Sequence, residues 1–223
     1  MSGICGFFNL DGAPADQNAL RALASPLERR GPDRTGLWKS NSVGLGHTLL
    51  ATTPEARVER LPLVHGATGC VITADVRLDN REELLADLQL SSHASGIGDG
   101  ELILNAYLVW GESCVARLLG DFAFAIWDPR HKQLFCARDH MGLRQLIYHY
   151  SPGRFFAFAT EPRAILTLDR RPWRVNEARI ADFLVAPLEG VDHKSTFFED
   201  VYRLPPAHRL ILDAEGLRVE RYW

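Results

Sequence analysis

The chain enters an apolar run at once. Residues 4–10, Ile4-Cys5-Gly6-Phe7-Phe8-Asn9-Leu10, read as a buried strand, and Asp11-Gly12 as the turn that ends it. Side chains alternate faces along a strand. Ser2, Ile4 and Gly6 therefore share one face, and Cys5 points the other way. Ser2 stands at the edge of this first strand. Its position matters chemically. Once Met1 is removed, Ser2 carries both a hydroxyl and a free α-amine of pKa about 8, and such an amine acts as a base for its own side chain.

The pattern downstream mixes two periods. Leu20, Leu23, Ala24 and Leu27 recur at helical spacing, and the helix ends before Gly31-Pro32. Short strands are expected at 43–47 and 70–76, and Asp79-Asn80 opens a helix holding Leu84, Leu85 and Leu88. The polar stretch 91–100 reads as a loop. Leu102, Ile103, Ala106, Tyr107 and Trp110 mark a longer helix that Gly111 ends. Val115, Leu118 and Leu119 mark another. Hairpins follow at 122–137, 147–159 and 209–222, with helices at 162–166 and 180–184 between the last two. Helices and antiparallel hairpins alternate in blocks, which favours an α+β fold with sheets packed face to face over a doubly wound parallel sheet. No internal repeat or linker breaks residues 1–223, so one domain is expected.

A net charge of -3 excludes the basic excess of a nucleic-acid binder. Of the 25 basic residues, 22 are arginine, whose rigid fork suits buried ion pairs. Cys5, Cys70, Cys114 and Cys136 are irregularly spaced in apolar segments. They form no metal motif and no disulfide framework, and read as buried thiols in a reducing compartment. With no signal-peptide pattern and no apolar run long enough to span a bilayer, a cytoplasmic protein is expected.

Five segments carry a resemblance. They are Ser2-Gly3-Ile4-Cys5-Gly6, Arg30-Gly31-Pro32-Asp33, Gly98-Asp99-Gly100-Glu101, Gly120-Asp121-Phe122-Ala123-Phe124-Ala125 and Arg138-Asp139-His140-Met141-Gly142. In this order the chain resembles the N-terminal glutaminase domain of the asparagine synthetase family, a class II glutamine amidotransferase. The resemblance implies a four-layer αββα sandwich of N-terminal nucleophile hydrolase type. It also implies a C-terminal ATP-dependent synthetase domain as partner, which would use ATP and Mg and carry a Ser-Gly-Gly-x-Asp-Ser type loop. That loop does not occur in residues 1–223, which therefore do not make asparagine alone. No cofactor or metal is expected here.

The family pattern also marks departures. The family nucleophile is a cysteine, and Ser2 replaces it with a poorer nucleophile. The family's His-x-Arg-Leu segment reads His47-Thr48-Leu49-Leu50, so Leu49 stands where an arginine grips the substrate carboxylate. The family's Asn-Gly-Glu segment is matched to Thr73-Ala74-Asp75, where Thr73 replaces the oxyanion donor, a change costing about 3 kcal/mol in the transition state. Asp99 keeps the position that meets the substrate ammonium, and reads more readily as the N-cap of the helix through Leu102 and Ile103. Arg30, Asp33, Arg138 and Asp139 read as structural loop residues, and His47 as a core histidine.

With nucleophile, carboxylate grip and oxyanion donor all altered, Ser2 reads as a vestigial nucleophile. The pattern resembles relatives that have lost glutaminase activity, β-lactam synthetase and the lasso peptide cyclases. Residues 197–207 and 79–83 have the texture of the lasso branch, which makes a peptide substrate an expected partner. Two other readings stay open: an active amidohydrolase using Ser2, and a peptide- or protein-binding module.

Overall fold

A computed structural model describes residues 1–90, 96–168, 172–185 and 192–223. Of the expected loop at 91–100, residues 91–95 lie outside the described residues. The elements run β1 (Gly3–Asn9), α1 (Gln17–Ala24), β2 (Arg34–Ser40), β3 (Val43–Leu49), α2 (Pro54–Val58), β4 (Leu63–Val64), β5 (Val71–Leu78) and α3 (Arg81–Asp87). They continue through α4 (Asp99–Trp110), β6 (Gly120–Asp128), β7 (Gln133–Arg138), β8 (Ile147–Ser151), β9 (Phe155–Ala159) and α5 (Pro162–Ile165). The last are α6 (Glu177–Leu184), β10 (Val201–Arg203), β11 (His208–Asp213) and β12 (Gly216–Arg221).

The strands form two sheets, ordered β10-β8-β9-β1-β3-β2 and β12-β11-β7-β6-β5-β4, and every neighbouring pair is antiparallel. Ile4, Leu45, Phe156 and Phe158 of the first sheet pack against Ala125, Leu134 and Leu210 of the second, making a dry layer between them. The outer face of the first sheet takes Cys5 and Phe7 against Leu20, Leu23 and Ala24 of α1 and Ala164 and Ile165 of α5. The outer face of the second takes Ile72, Phe122 and Phe124 against α3 and α4. Helix, sheet, sheet, helix is the expected four-layer αββα order.

Alternation along β1 sets this geometry. Ile4 faces the inter-sheet layer and Cys5 the α1 layer, as the period-two reading requires. Burial pushes the Cys5 thiol up to about 12, so it stays neutral and inert. All four cysteines are buried and free.

Local chemistry explains the element ends. Asp16 caps α1 by accepting from the backbone nitrogens of Asn18 and Ala19. Gly111 ends α4 at φ 59°, a conformation that glycine adopts without strain. The segment expected as a helix around Val115 is a 3-10 turn, Gly111–Arg117. Strand β2 carries no clear apolar alternation: it is a half-exposed edge strand reached through the hairpin residue Asn41. Asn80 precedes α3, yet its side chain bonds Arg117 O and Leu119 N instead of capping the helix. No described helix is long and apolar enough to cross a membrane.

Candidate functional site

Ser2 sits where β1 begins, buried between the ends of the two sheets. Its backbone nitrogen donates to Asp75 Oδ1 of β5 at 3.1 Å, and its Oγ accepts from Leu50 N at 3.1 Å. Its carbonyl accepts from Arg30 Nε at 3.4 Å. Arg30 also pairs with Glu161 at 3.1 Å. The Arg30-Gly31-Pro32-Asp33 loop thus holds Ser2 through backbone contacts. Gly31 packs so closely on the end of β3 that a Cβ there would stand 2.1 Å from Thr48 O. Asp33 accepts from Ala51 N at 2.8 Å and its own nitrogen donates to Leu49 O, which fixes the turn that aims Leu50 N at Ser2.

The second sheet contributes a charge pair. Arg144 approaches Asp75 Oδ1 at 3.6 Å and Asp121 at 3.9 Å. Its loop is built by Arg138 and Asp139. Asp139 accepts from Leu143 N and Arg144 N, both at 2.8 Å, and from Phe122 N at 3.3 Å. Arg138 donates to the carbonyls of Arg144 and Leu204 at 2.6 and 2.7 Å, and to that of Gly142. The Arg-Asp motif is therefore the cradle that delivers Arg144. Burial pushes the Asp75 carboxyl above its ordinary range, with Arg144 opposing. One oxygen of Asp75 and Nε of Arg144 are buried without a partner.

A third carboxylate group lies at the N-terminus of α4. Asp99 does not cap that helix with its side chain. It accepts from Leu78 N at 3.0 Å and pairs with Arg81 of α3. Glu59, just after α2, accepts from Gly100 N. Burial raises the Glu59 carboxyl to about 7.

The resulting pocket is small, about 120 Å³, with Ser2, Leu50, Glu59, Asp75 and Arg144 in its wall. Of the residues expected from sequence, Ser2, Ala74 and Asp75 line it. Leu49, Thr73 and Asp99 do not, and nor do Arg30, Asp33, Arg138 and Asp139. Thr73 is fully buried between the sheets, where its hydroxyl donates to Gly46 O at 3.0 Å. Asp75, two residues along β5, is the side chain beside Ser2. His47 is buried and its pKa falls to about 4 because burial disfavours the charged form, so it stays neutral near pH 7. Glu59 and Arg144 were not singled out by sequence. Each arrives from a loop, and neither shows a spacing that marks it. Among the described residues, no three His, Cys, Asp or Glu side chains stand together as a metal site.

Asp75 and Arg144 place a carboxylate and a guanidinium in the pocket wall with Ser2. An ionised carboxylate only accepts hydrogen bonds. Asp75 accordingly accepts from Ser2 N, and it stands at the position matched to the glutamate of the Asn-Gly-Glu segment.

Comparison with known proteins agrees with this architecture. The family described as a glutamine amidotransferase domain matches residues 1–223. Asparagine synthetase [glutamine-hydrolyzing] 3 of Bacillus subtilis is 29% identical over 93% of this chain and 34% of its own length. Amidase chry2 of Gibberella zeae is 31% identical over 95% of this chain and 32% of its own length. The chain thus spans about a third of these relatives. Among solved structures, the glutamine phosphoribosylpyrophosphate amidotransferase of B. subtilis superposes with a TM-score of 0.66 at 17% identity, over 99% of this chain and 49% of that one. The fold is that of the N-terminal nucleophile hydrolases, and the chain belongs to the glutamine amidotransferase domain family, with homologues among the asparagine synthetases.

Proposed function

We propose that this amidotransferase domain no longer hydrolyses glutamine and serves as the scaffold of an ATP-dependent amide-forming ligase, of the lasso-cyclase-like kind. The observation that carries this reading is the place of Thr73, the residue at the oxyanion-donor position, which does not line the Ser2 pocket. The nucleophile position holds a hydroxyl, and the Thr73 hydroxyl is spent on Gly46 O between the sheets, at 3.0 Å. Leu49 adds to it, because a leucine offers a substrate carboxylate no partner, and burying that group unpaired costs several kcal/mol. Asp99, already committed to Leu78 N and Arg81, has less capacity for a substrate ammonium.

The partner in this reading is an ATP-pyrophosphatase domain, on the same or a separate chain, that binds ATP and Mg and activates a carboxylate. The substrate would be a peptide that brings its own amine, so no ammonia is required. Support comes from relatives named as asparagine synthetases that are about three times as long as the matched region. Four buried free thiols fit the reducing conditions of the cytoplasm.

The test is covalent trapping. The chain is incubated with 6-diazo-5-oxo-L-norleucine, an electrophilic glutamine analogue, and its intact mass is measured. No adduct at Ser2 is expected. A stoichiometric adduct that Ser2→Ala removes would show an active serine amidohydrolase instead.

A further inference from the structure

Glu59 is a buried carboxylate for which the Ser2 chemistry has no use. It ends the short segment between β3 and β4 that includes α2. That segment forms one wall of the pocket through Thr52, Thr53 and Ala56. Its far end is pinned firmly. The Glu59 carbonyl accepts from Arg34 Nη1 at 2.6 Å and from Arg60 Nη1 at 2.9 Å, while its carboxylate accepts from Gly100 N. Leu61, two residues on, is buried in the outer core.

The seat for this carboxylate is shaped by two glycines. A Cβ on Gly98 would stand 2.1 Å from Glu59 Cγ, and one on Gly100 would stand 3.0 Å from Oε1. Side chains at these positions would expel Glu59. Asp99 and Asp75 face it as like charges, and Arg81 as the opposing one. With Glu59 seated, the cavity measures about 120 Å³. Pockets that take small molecules run from about 300 Å³ upward.

We propose that Glu59 is an internal latch: seated on Gly100 N in the space left by Gly98, it holds residues 52–59 over Ser2 and closes the pocket to small amides and amino acids. This rests on the reading of the Ser2 pocket as a site retired from glutamine hydrolysis. The latch places a side chain of the protein itself at the α4 N-terminus, where the backbone donor would otherwise face the cavity.

Amide hydrogen exchange of the full chain tests this without glutamine, so its outcome is separate from that of the hydrolysis reading. In Glu59→Ala and in Gly98→Ser, exchange at residues 52–59 and at Gly100 is expected to rise about tenfold or more. The double variant is expected to match either single one, since both remove the same contact. Glu59→Gln, which keeps an acceptor oxygen, is expected to stay near the parent. Unchanged protection in Glu59→Ala, or factors that multiply in the double variant, would overturn the latch. Iodoacetamide labelling of Ser2→Cys gives a second readout that does not depend on exchange. Adding Glu59→Ala is expected to speed alkylation about tenfold, because the other four cysteines are buried. An unchanged rate, with β6 and β7 still protected, would overturn the proposal.

Discussion

The backbone nitrogen of Ser2 donates to Oδ1 of Asp75 at 3.1 Å, joining the start of β1 in one sheet to β5 in the other. This contact ties the first residues of the chain to the core. It also sets the fate of the amine that Met1 removal would expose.

A free Ser2 amine in that place would lie against a carboxylate. Opposite charge within hydrogen-bond distance favours the protonated form, and an ammonium is no base. In the chain lacking Met1, Asp75→Asn is expected to lower the pKa of the Ser2 amine by about one unit or more. The pH dependence of its acylation, followed by mass spectrometry, reads this. An unchanged pKa would mean that the ion pair does not form.

Asp139 and Asp33 are expected to differ sharply in weight. Asp139 is buried and accepts from Phe122, Leu143 and Arg144. Asp139→Ala strands these donors and is expected to cost about 3 kcal/mol in urea unfolding. Asp33 is exposed and accepts from Ala51 N, so Asp33→Ala is expected to cost less than about 1 kcal/mol. Comparable losses would remove the distinction between cradle and surface turn.

Glu59 predicts a pH dependence of definite sign. Burial, with Asp99 and Asp75 nearby, raises its carboxyl from 4.5 to about 7 in the fold, against the pull of Gly100 N and Arg81. The native state therefore holds a proton that the unfolded chain releases. Stability from this group is full below about 4.5 and is lost as pH rises through about 7. Relative to Glu59→Gln, the parent is expected to weaken between about pH 5 and about pH 8, measured by urea midpoints. The neutral, buried His47 acts in the opposite sense at low pH and is common to both chains, so the difference isolates Glu59. A pH-independent difference would contradict a buried, protonated Glu59.

Much of the fold was legible because the strands are short and follow one another in hairpins. The alternation of residues 2–6 correctly separated Ser2 from Cys5. The run Phe122–Ala125 and its return at Gln133 paired as expected. Strand β2 escaped because an edge strand with partly exposed faces carries no strict alternation. The site was read less completely. Thr73 and Asp75 share a face of β5, about 6.6 Å apart at the usual strand rise, and of the two expected pocket residues Asp75 bonds Ser2 while Thr73 turns to Gly46 O. The helix-cap reading of Asp99 fails for its side chain, whose carboxylate goes to Leu78 and Arg81, 21 and 18 residues back along the chain. Glu59 and Arg144 reach the pocket from loops. Only the packing of two sheets brings them near Ser2.

The most direct measurement is glutamate release from L-glutamine by the purified chain, alongside Ser2→Ala and Ser2→Cys. The account predicts no Ser2-dependent release from the parent. It predicts none from Ser2→Cys either, because Thr73, Leu49 and the Glu59 latch remain. Steady turnover by the parent that Ser2→Ala abolishes would contradict it.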